Sequence, residues 1–293
     1  MIRNVFRRAY RTLLPFIYSR RQFKLFLTTT LGDIDLRVQA LASATDYFSV
    51  FIRSIPVRAP FGSSMLVVAP HQDDEVIGCG GALALQVRSG KTASVVILLD
   101  GSEGHDELGL TREAQRDIRN EESRRAAALL HLESPRFLNY HRLAESVSQA
   151  IEELFSILTE RKIDVVFTPY MLDGHPDHRI ANYILASALK RLTWDVRVLC
   201  YEVWGLLIPN VLVIIDQVIE KKLEMLRCFT FANKALDYVH TTKGLNMYRS
   251  RLLGAGECQY AECFFELPRQ EFVTLVERVQ AAEMRQGNLK TSP

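Results

Sequence analysis

The pattern of hydrophobic and polar residues predicts strands that alternate with helices along most of the chain. Three apolar runs, rich in β-branched residues, have the composition of strands buried on both faces: 65–69, 93–100 and 164–169. Shorter strands are predicted at 136–139, 196–203 and 211–215. Helical patterns lie between and after them, at 82–88, 111–131, 147–161, 176–191, 219–229 and 270–282. The alternation predicts an α/β fold with a mostly parallel central sheet.

The chain divides by composition into a basic helical extension over residues 1–60, a main domain over 61–285 and a flexible tail over 286–293. Residues 1–32 contain no acidic residue, and their basic residues are interleaved with aromatic and aliphatic ones: Arg3, Arg7, Arg8, Arg11, Arg20, Arg21 and Lys24. The favoured interpretation is a solvated helix packed on the main domain. The alternative is peripheral contact of residues 1–30 with an anionic membrane surface.

Composition gives no indication of a nucleic-acid-binding protein, a membrane-spanning protein or a cysteine-based zinc protein. The formal net charge of +2 gives no indication of a nucleic-acid partner, and none is predicted. No stretch has the apolar length of a signal peptide core or a membrane span, so a cytoplasmic location is expected, with the inner face of the membrane as the alternative. The five cysteines form no CxxC pair, which predicts reduced, mostly buried thiols and argues against a cysteine-based zinc site.

Ionisable residues are concentrated directly after the three predicted buried strands. His71-Gln72-Asp73-Asp74-Glu75 follows the first, residues 100–104 follow the second, and Asp173-Gly174-His175-Pro176-Asp177-His178 follows the third. In open α/β sheets, ligand sites form outside the carboxyl ends of the strands, so these loops are expected to converge. Ionised carboxylates beside a hydrophobic core need compensation, for which a bound cation is one candidate.

These loops supply a set of ligands suited to one Zn²⁺ per chain: the imidazoles of His71 and His178 and the carboxylate of Asp74. The fourth coordination position is left for water. Imidazole and carboxylate also suit Fe²⁺, so the residue types leave the metal open. The competing interpretation is that both motifs are acidic helix starts without a metal. Their shared position after parallel strands favours the metal site.

Residues next to these candidate ligands have the chemistry needed for acid–base catalysis of hydrolysis. Asp73 is placed to accept a proton from a water molecule held by the metal. His175, if protonated, would stabilise an oxyanion or donate a proton to a leaving amine. Asp177 is expected to orient His175. The residues therefore predict metal-assisted attack of water on a carbonyl group.

The segments APHQDDEVIGCGG and DGHPDH resemble the PIG-L, or LmbE-like, family of zinc-dependent N-acetylglucosaminyl de-N-acetylases, and the likeness extends over residues 65–265. The resemblance implies a Rossmann-like three-layer fold. It also implies zinc bound by His71, Asp74 and His178, with Asp73 as the general base and His175 at the oxyanion. This sequence departs from the family pattern at Gln72, where Pro is usual, and at Asp173, where some members carry Tyr.

The function implied by the resemblance is hydrolytic removal of the acetyl group from an N-acetylated amino-sugar conjugate, either a small molecule or a lipid-linked one. Two alternatives remain open: an amidase acting on a larger acyl conjugate, and a non-catalytic sugar- or nucleotide-binding module suggested by a glycine-rich turn at 78–81. The residues expected to contact substrate are Arg119, Glu103, Tyr201 and Glu202. For Arg119 the alternative is an ion pair with Glu122 on its own helix.

Overall fold

The computed structural model describes residues 55–102, 109–253, 256 and 258–285. One eight-stranded sheet runs through the described chain: β1 (Ile55–Val57), β2 (Ser64–Ala69), β3 (Thr92–Leu99), β4 (Arg136–Tyr140), β5 (Val165–Pro169), β6 (Arg197–Tyr201), β7 (Val211–Ile214) and β8 (Ala261–Pro268). The strand order is β1-β7-β8-β6-β5-β2-β3-β4. Only β8 is antiparallel to its neighbours; every other pair is parallel.

Helices cover both faces of this sheet: α1 (Asp74–Arg88), α2 (Arg112–Ala128), α3 (Val147–Glu160), α4 (Pro176–Lys190), α5 (Ile219–Arg227), α6 (Tyr238–Ser250) and α7 (Arg269–Arg285). One hydrophobic cluster packs α3, α4 and α7 against one face, through residues such as Leu154, Leu185 and Phe272. A second cluster packs α1 and α5 against the other face, through Leu83 and Leu223. The predicted three-layer α/β architecture is confirmed. Among the described helices, none combines the length and apolarity that crossing a bilayer requires.

The sheet order determines where the functional loops lie. Strands β6, β5, β2, β3 and β4 are consecutive and parallel, so their carboxyl ends lie along one edge. The loops after β2 and β5, which carry the two ionisable motifs, are therefore direct neighbours at the centre of that edge.

The first strand corrects the predicted domain boundary. Residues 55–57 fall inside the predicted helical extension, yet they form β1 and pair in parallel with β7. The sheet thus begins before residue 61. Residues 1–54, with the basic stretch considered for membrane contact, and residues 286–293 lie outside the described part of the chain.

The glycine-rich segment 78–81 is not the predicted turn but part of α1, which begins at Asp74 and has a single irregular residue, Cys79 (φ −144°, ψ 23°). The glycines allow this helix to approach its neighbours closely. A Cβ atom on Gly78 would lie 2.0 Å from Cδ2 of Tyr201. This packing on β6 replaces the phosphate-binding turn that a nucleotide-binding module would need.

A buried ion pair satisfies the backbone groups that the irregular turn of α1 leaves free. Both carboxylate oxygens of Glu262 accept backbone N–H groups, from Gly81 at 2.7 Å and Ala82 at 2.8 Å. The Nζ atom of Lys222 donates to Glu262 Oε1 at 2.6 Å and to the carbonyl of Ile77 at 2.9 Å. The pair joins α1, α5 and β8, and both side chains are excluded from solvent.

Replacing Lys222 with Met is expected to lower the free energy of unfolding by about 3–5 kcal/mol, because Glu262 would be left charged and buried without its partner. Urea denaturation of the full chain measures this. Lys221→Met is the matched control, since Lys221 pairs with Glu224 at the surface and its loss should cost less than about 1 kcal/mol. Equal stability of the two variants would contradict a structural role for the buried pair.

Candidate metal centre

The turn after β2 is held in a fixed and strained conformation. Asp73 is the N-cap of α1 with φ 116° and ψ −31°, a region that non-glycine residues seldom occupy. Its carbonyl accepts the N–H groups of Val76 and Ile77, each at 2.9 Å. The buried amide of Gln72 donates to the carbonyl of Leu99 and to Asn120, and so ties the turn to β3 and α2. Strain of this kind persists where the surroundings impose it, commonly at functional sites.

The turn after β5 is organised by a buried carboxylate, Asp173. Its Oδ1 accepts the backbone N–H of His175 at 2.9 Å. Its Oδ2 accepts the backbone N–H groups of Trp204 and Gly205 at 3.0 and 3.1 Å. His175 is the N-cap of α4, and Pro176 occupies the first turn as its fixed φ favours. Hydrogen bonds of Asp173 thereby connect the start of α4 to the loop after β6.

Three side-chain atoms from the two turns converge on one point. Asp74 Oδ2 lies 3.1 Å from His71 Nδ1 and 3.3 Å from His178 Nε2. Ligand atoms bound tetrahedrally to Zn²⁺ at about 2.0–2.2 Å are separated by about 3.3 Å from one another. The two separations from Asp74 Oδ2 are therefore close to the spacing between ligands of a tetrahedral ion.

The outer nitrogen of each imidazole faces a second carboxylate. His71 Nε2 lies 3.4 Å from Asp177 Oδ2, and His178 Nδ1 lies 3.2 Å from Asp173 Oδ1. His178 is fully buried, yet neither ring nitrogen has a hydrogen bond of good geometry to the described residues. Metal-bound histidines characteristically present their second nitrogen to a carboxylate in this way. The donor set thus fits a metal ion.

A third imidazole lies beside this group. One ligand atom from each of His71, His175 and His178 falls within 4.8 Å of the others, so these three histidines also form a group that could hold a metal. However, Nδ1 of His175 already accepts the backbone N–H of Asp177 at 3.2 Å. That bond leaves the proton of a neutral His175 on Nε2. Asp177 orients His175 through its backbone, while its carboxylate lies nearer to His71 than to His175, at 3.4 against 3.7 Å.

Burial and charge shift the protonation of the two groups beside this point. Burial raises the pKa of Asp73 to about 7, although the Arg119 guanidinium opposes the shift. Burial, together with the nearby imidazoles of His71 and His178, lowers the pKa of His175. His175 is therefore neutral near pH 7, unlike the protonated form that the sequence analysis considered. A carboxyl group that exchanges protons near neutrality is suited to general base catalysis.

The converging atoms lie at the wall of an open cavity of about 460 Å³. Most of the predicted site residues line it: His71, Asp73, Asp74, Arg119, His175 and Asp177. His178 lies buried behind them. Arg119 does not pair with Glu122; its Nη2 donates to the carbonyl of Gln72 at 2.9 Å and lies 3.6 Å from Asp73 Oδ2. Contact of Arg119 with substrate stays a prediction.

Two predicted substrate contacts support the cavity wall without lining it. Tyr201 is fully buried, and its hydroxyl donates to the carbonyl of Val68 at 2.9 Å. Glu202 is buried against the guanidinium of Arg249 and accepts the N–H of Leu207 at 2.8 Å. Both side chains are engaged within the protein and away from the cavity surface. Glu103 lies outside the described residues.

Several residues of the site had no role predicted from the sequence. Asp173 begins the motif after β5, and its carboxylate contacts the backbone N–H of His175, the imidazole of His178 and the loop after β6. Asp100 and His141 line the cavity, with His141 Nδ1 3.4 Å from Asp100 Oδ2. Tyr238 lines it from the start of α6. The position of Asp100 after a buried strand was a signal that could have identified it.

Known proteins share sequence similarity with the part of the chain that carries the two motifs. Residues 66–189 match the model of the PIG-L family, described as GlcNAc-PI de-N-acetylase. The chain is 26% identical over 165 residues to a diacetylchitobiose deacetylase of Thermococcus kodakarensis, covering 54% of this chain and 59% of that protein. It is 28% identical over 184 residues to the 1D-myo-inositol 2-acetamido-2-deoxy-alpha-D-glucopyranoside deacetylase of a Mycobacterium species, covering 50% and 57%. The chain thus spans less than two thirds of these curated relatives.

Among solved structures, the N,N'-diacetylchitobiose deacetylase from Pyrococcus horikoshii superposes with a TM-score of 0.65. The superposition covers 82% of this chain and 96% of that one, at 22% sequence identity, and shows a shared fold. Residues 66–189, which match the family model, contain both ionisable motifs, strand β5 and most of strand β2. Residues 66–189 of this chain are therefore similar to the PIG-L family, over a segment that includes both motifs.

Proposed function

We propose that this protein is a metal-dependent hydrolase that removes the acetyl group from an N-acetylglucosamine-type conjugate. The main support is the convergence of Asp74 with His71 and His178 beside Asp73, at the wall of an open cavity. The relatives add support, because the names of those described above specify deacetylases of acetylated amino sugars.

His71, Asp74 and His178 would hold one Zn²⁺ per chain, with Fe²⁺ as the alternative that the same donors accept. When bound, such an ion polarises a carbonyl oxygen and lowers the pKa of water to about 7. Asp74 is preferred over His175 as the third ligand because it contacts both other histidines and is itself buried, at 2% exposure. A buried carboxylate between two imidazoles is best compensated by a cation.

The residues facing the cavity supply the proton transfers. Asp73 accepts a proton from the attacking water and returns it to the nitrogen of the departing amine. His175, neutral and protonated on Nε2, donates a hydrogen bond to the oxygen of the tetrahedral intermediate. Arg119, 3.6 Å from Asp73, orients the carboxylate and opposes its protonation during the resting state.

Acetate release measures the activity directly. The full chain is expected to release acetate from N,N'-diacetylchitobiose or N-acetylglucosamine when loaded with zinc, and to lose this activity on chelation. Release of a longer acyl group in preference to acetate would favour the amidase alternative. Sugar binding without turnover of any amide, in a zinc-loaded chain, would contradict the proposed hydrolase and favour a binding module.

Asp173→Asn is expected to weaken metal binding about 10–100-fold, because the amide cannot replace the carboxylate that faces His178 Nδ1. Competition against a chromogenic chelator measures the affinity. Asp164→Asn is the matched control, since Asp164 caps backbone N–H groups of Ser63 and Ser64 and has no contact with the candidate metal centre. Unchanged metal affinity in Asp173→Asn would remove the supporting role assigned to this carboxylate.

A further inference from the structure

The segment that joins α5 to α6 forms part of the cavity wall. We call residues 229–237 the wall segment. Ala232 and Ala235 of this segment line the cavity, next to Tyr238 at the start of α6. The segment contains one short 3₁₀ turn, Ala232–Lys234, and residues 234–237 are exposed. Its distance from the candidate metal centre therefore depends on the contacts that anchor it.

A buried carboxylate on α2 anchors the wall segment. Glu122 is 1% exposed, and its Oε1 accepts the hydroxyl of Thr230 at 2.5 Å and the backbone N–H of Phe231 at 3.0 Å. Hydrogen bonds to a carboxylate are stronger than those between neutral groups. Because both donors belong to the wall segment, these two bonds hold its start against α2. Glu122 itself is not among the residues that line the cavity.

Arg119, three residues before Glu122, contacts both the wall segment and the turn that carries the proposed base. Residues three apart on a helix lie on the same face. The Cζ atom of Arg119 lies 5.9 Å from the centroid of the Phe231 ring, a distance at which a cation is attracted to the ring face. Its Nη2 donates to the carbonyl of Gln72 at 2.9 Å and lies 3.6 Å from Asp73 Oδ2. One face of α2 therefore sets the separation between the wall segment and the proposed base.

The wall segment is also braced internally. The side-chain amide of Asn233 donates to the carbonyls of Leu226 and Phe229, at 2.9 and 2.8 Å, and its oxygen accepts the backbone N–H of Tyr238 at 3.0 Å. These bonds connect the segment to the end of α5 and to the start of α6. A shift at the start of the segment would therefore be passed on to the residues that line the cavity.

We propose that Glu122 is a positioning residue for substrate binding, which holds the wall segment in place at the cavity without contact with the reacting atoms. This inference rests on the proposed deacetylase function. Without Glu122, Arg119 would still have its bonds to the carbonyls of Gln72 and Gly101, which belong to the loops after β2 and β3. Loss of Glu122 should therefore weaken substrate binding more than it slows proton transfer at Asp73.

Steady-state kinetics of the zinc-loaded full chain on N,N'-diacetylchitobiose test this role. Glu122→Ala is expected to raise KM about tenfold and to change kcat less than about threefold, because affinity falls with the fraction of chains whose wall segment is in place. Glu122→Gln is expected to recover most of the affinity, since the amide oxygen can accept the same two hydrogen bonds. Glu121→Ala is the matched control: Glu121 is the adjacent carboxylate on α2, is exposed, and pairs with Arg124 at the surface.

Amide hydrogen exchange gives a measurement that does not depend on turnover. Peptides covering residues 229–237 are expected to exchange faster in Glu122→Ala than in the wild type, Glu121→Ala or Glu122→Gln. Zinc affinity, measured by competition against a chromogenic chelator, should be the same in all four proteins. Thr230→Val removes one donor from an exposed position, so it should fold even if Glu122→Ala does not. It is expected to show smaller changes in exchange and in KM, both in the same direction.

The outcomes separate this inference from the proposed function. Faster exchange of the wall segment with unchanged KM, or a fall in kcat with unchanged KM, would overturn the positioning role. Unchanged exchange in both Glu122→Ala and Thr230→Val would also overturn it. If the wild type released no acetate from any substrate, the proposed deacetylase would be rejected. Calorimetric titration of the zinc-loaded chain with chitobiose would then decide the role of Glu122, with about tenfold weaker binding expected in Glu122→Ala and equal binding contradicting it.

Discussion

Asp73→Asn is expected to lower kcat by about 10²–10⁴-fold while metal content stays at the wild-type level. The carboxylate is the proposed proton acceptor for the attacking water, and removal of a positioned general base has effects of this size. The amide has nearly the same shape but cannot take the proton. Acetate release under saturating substrate, with metal content measured on the same samples, gives both quantities.

The choice of asparagine keeps this experiment free of a backbone effect. Asp73 has φ 116°, and asparagine is among the non-glycine residues that best tolerate positive φ. Glu75→Gln is a matched control, since Glu75 is a buried carboxyl of the same turn outside the cavity lining, and the amide oxygen of glutamine can still accept the backbone N–H of Asp73. A loss of less than about tenfold in Asp73→Asn, with metal retained, would contradict its assignment as the base.

His178→Gln is expected to abolish metal binding and with it all measurable acetate release. Glutamine approximates the volume of the buried imidazole, so that loss of packing is kept small. In the wild-type protein, zinc at about 100 times its dissociation constant should add about 2.7 kcal/mol to the stability, a rise of several degrees in Tm. Thermal unfolding with and without zinc should show that rise in the wild type and none in His178→Gln.

His141→Gln provides the control for metal binding. His141 lines the same cavity but contacts Asp100 and Ser102. Its replacement should leave the zinc-dependent rise in Tm in place. If His178→Gln still showed the full rise, or if His141→Gln abolished it, the ligand set would be different from the one proposed.

The sequence was sufficient to predict how the two motifs come together. Each motif directly follows an apolar strand, and parallel strands place their carboxyl ends at one edge. Residue chemistry alone then identified His71, Asp74 and His178 as candidate ligands, and their side chains do converge. The convergence of the three side chains could therefore be predicted from the spacing of residues within each motif and from the order of the strands.

Other features depended on contacts between distant parts of the chain. Tyr201 faces the core and not the cavity. Its hydroxyl donates a hydrogen bond to the carbonyl of Val68, 133 positions away in the sequence. Glu202 is likewise withdrawn by Arg249, which α6 supplies. The pattern around β8 did not predict a strand, and its antiparallel pairing with β6 and β7 depends on the whole sheet. The low helix propensity of the glycines at 78–81 was overridden by close packing of α1 on its neighbours, with Gly78 against Tyr201 of β6.

Zinc-edge anomalous diffraction from crystals of the full chain tests the central claim most directly. We expect one anomalous peak per chain, about 2.0–2.2 Å from a nitrogen of His71, an oxygen of Asp74 and a nitrogen of His178, with His175 outside the coordination sphere. A peak ligated by His71, His175 and His178 with Asp74 turned away, or no peak at this cavity in zinc-soaked crystals, would contradict the account.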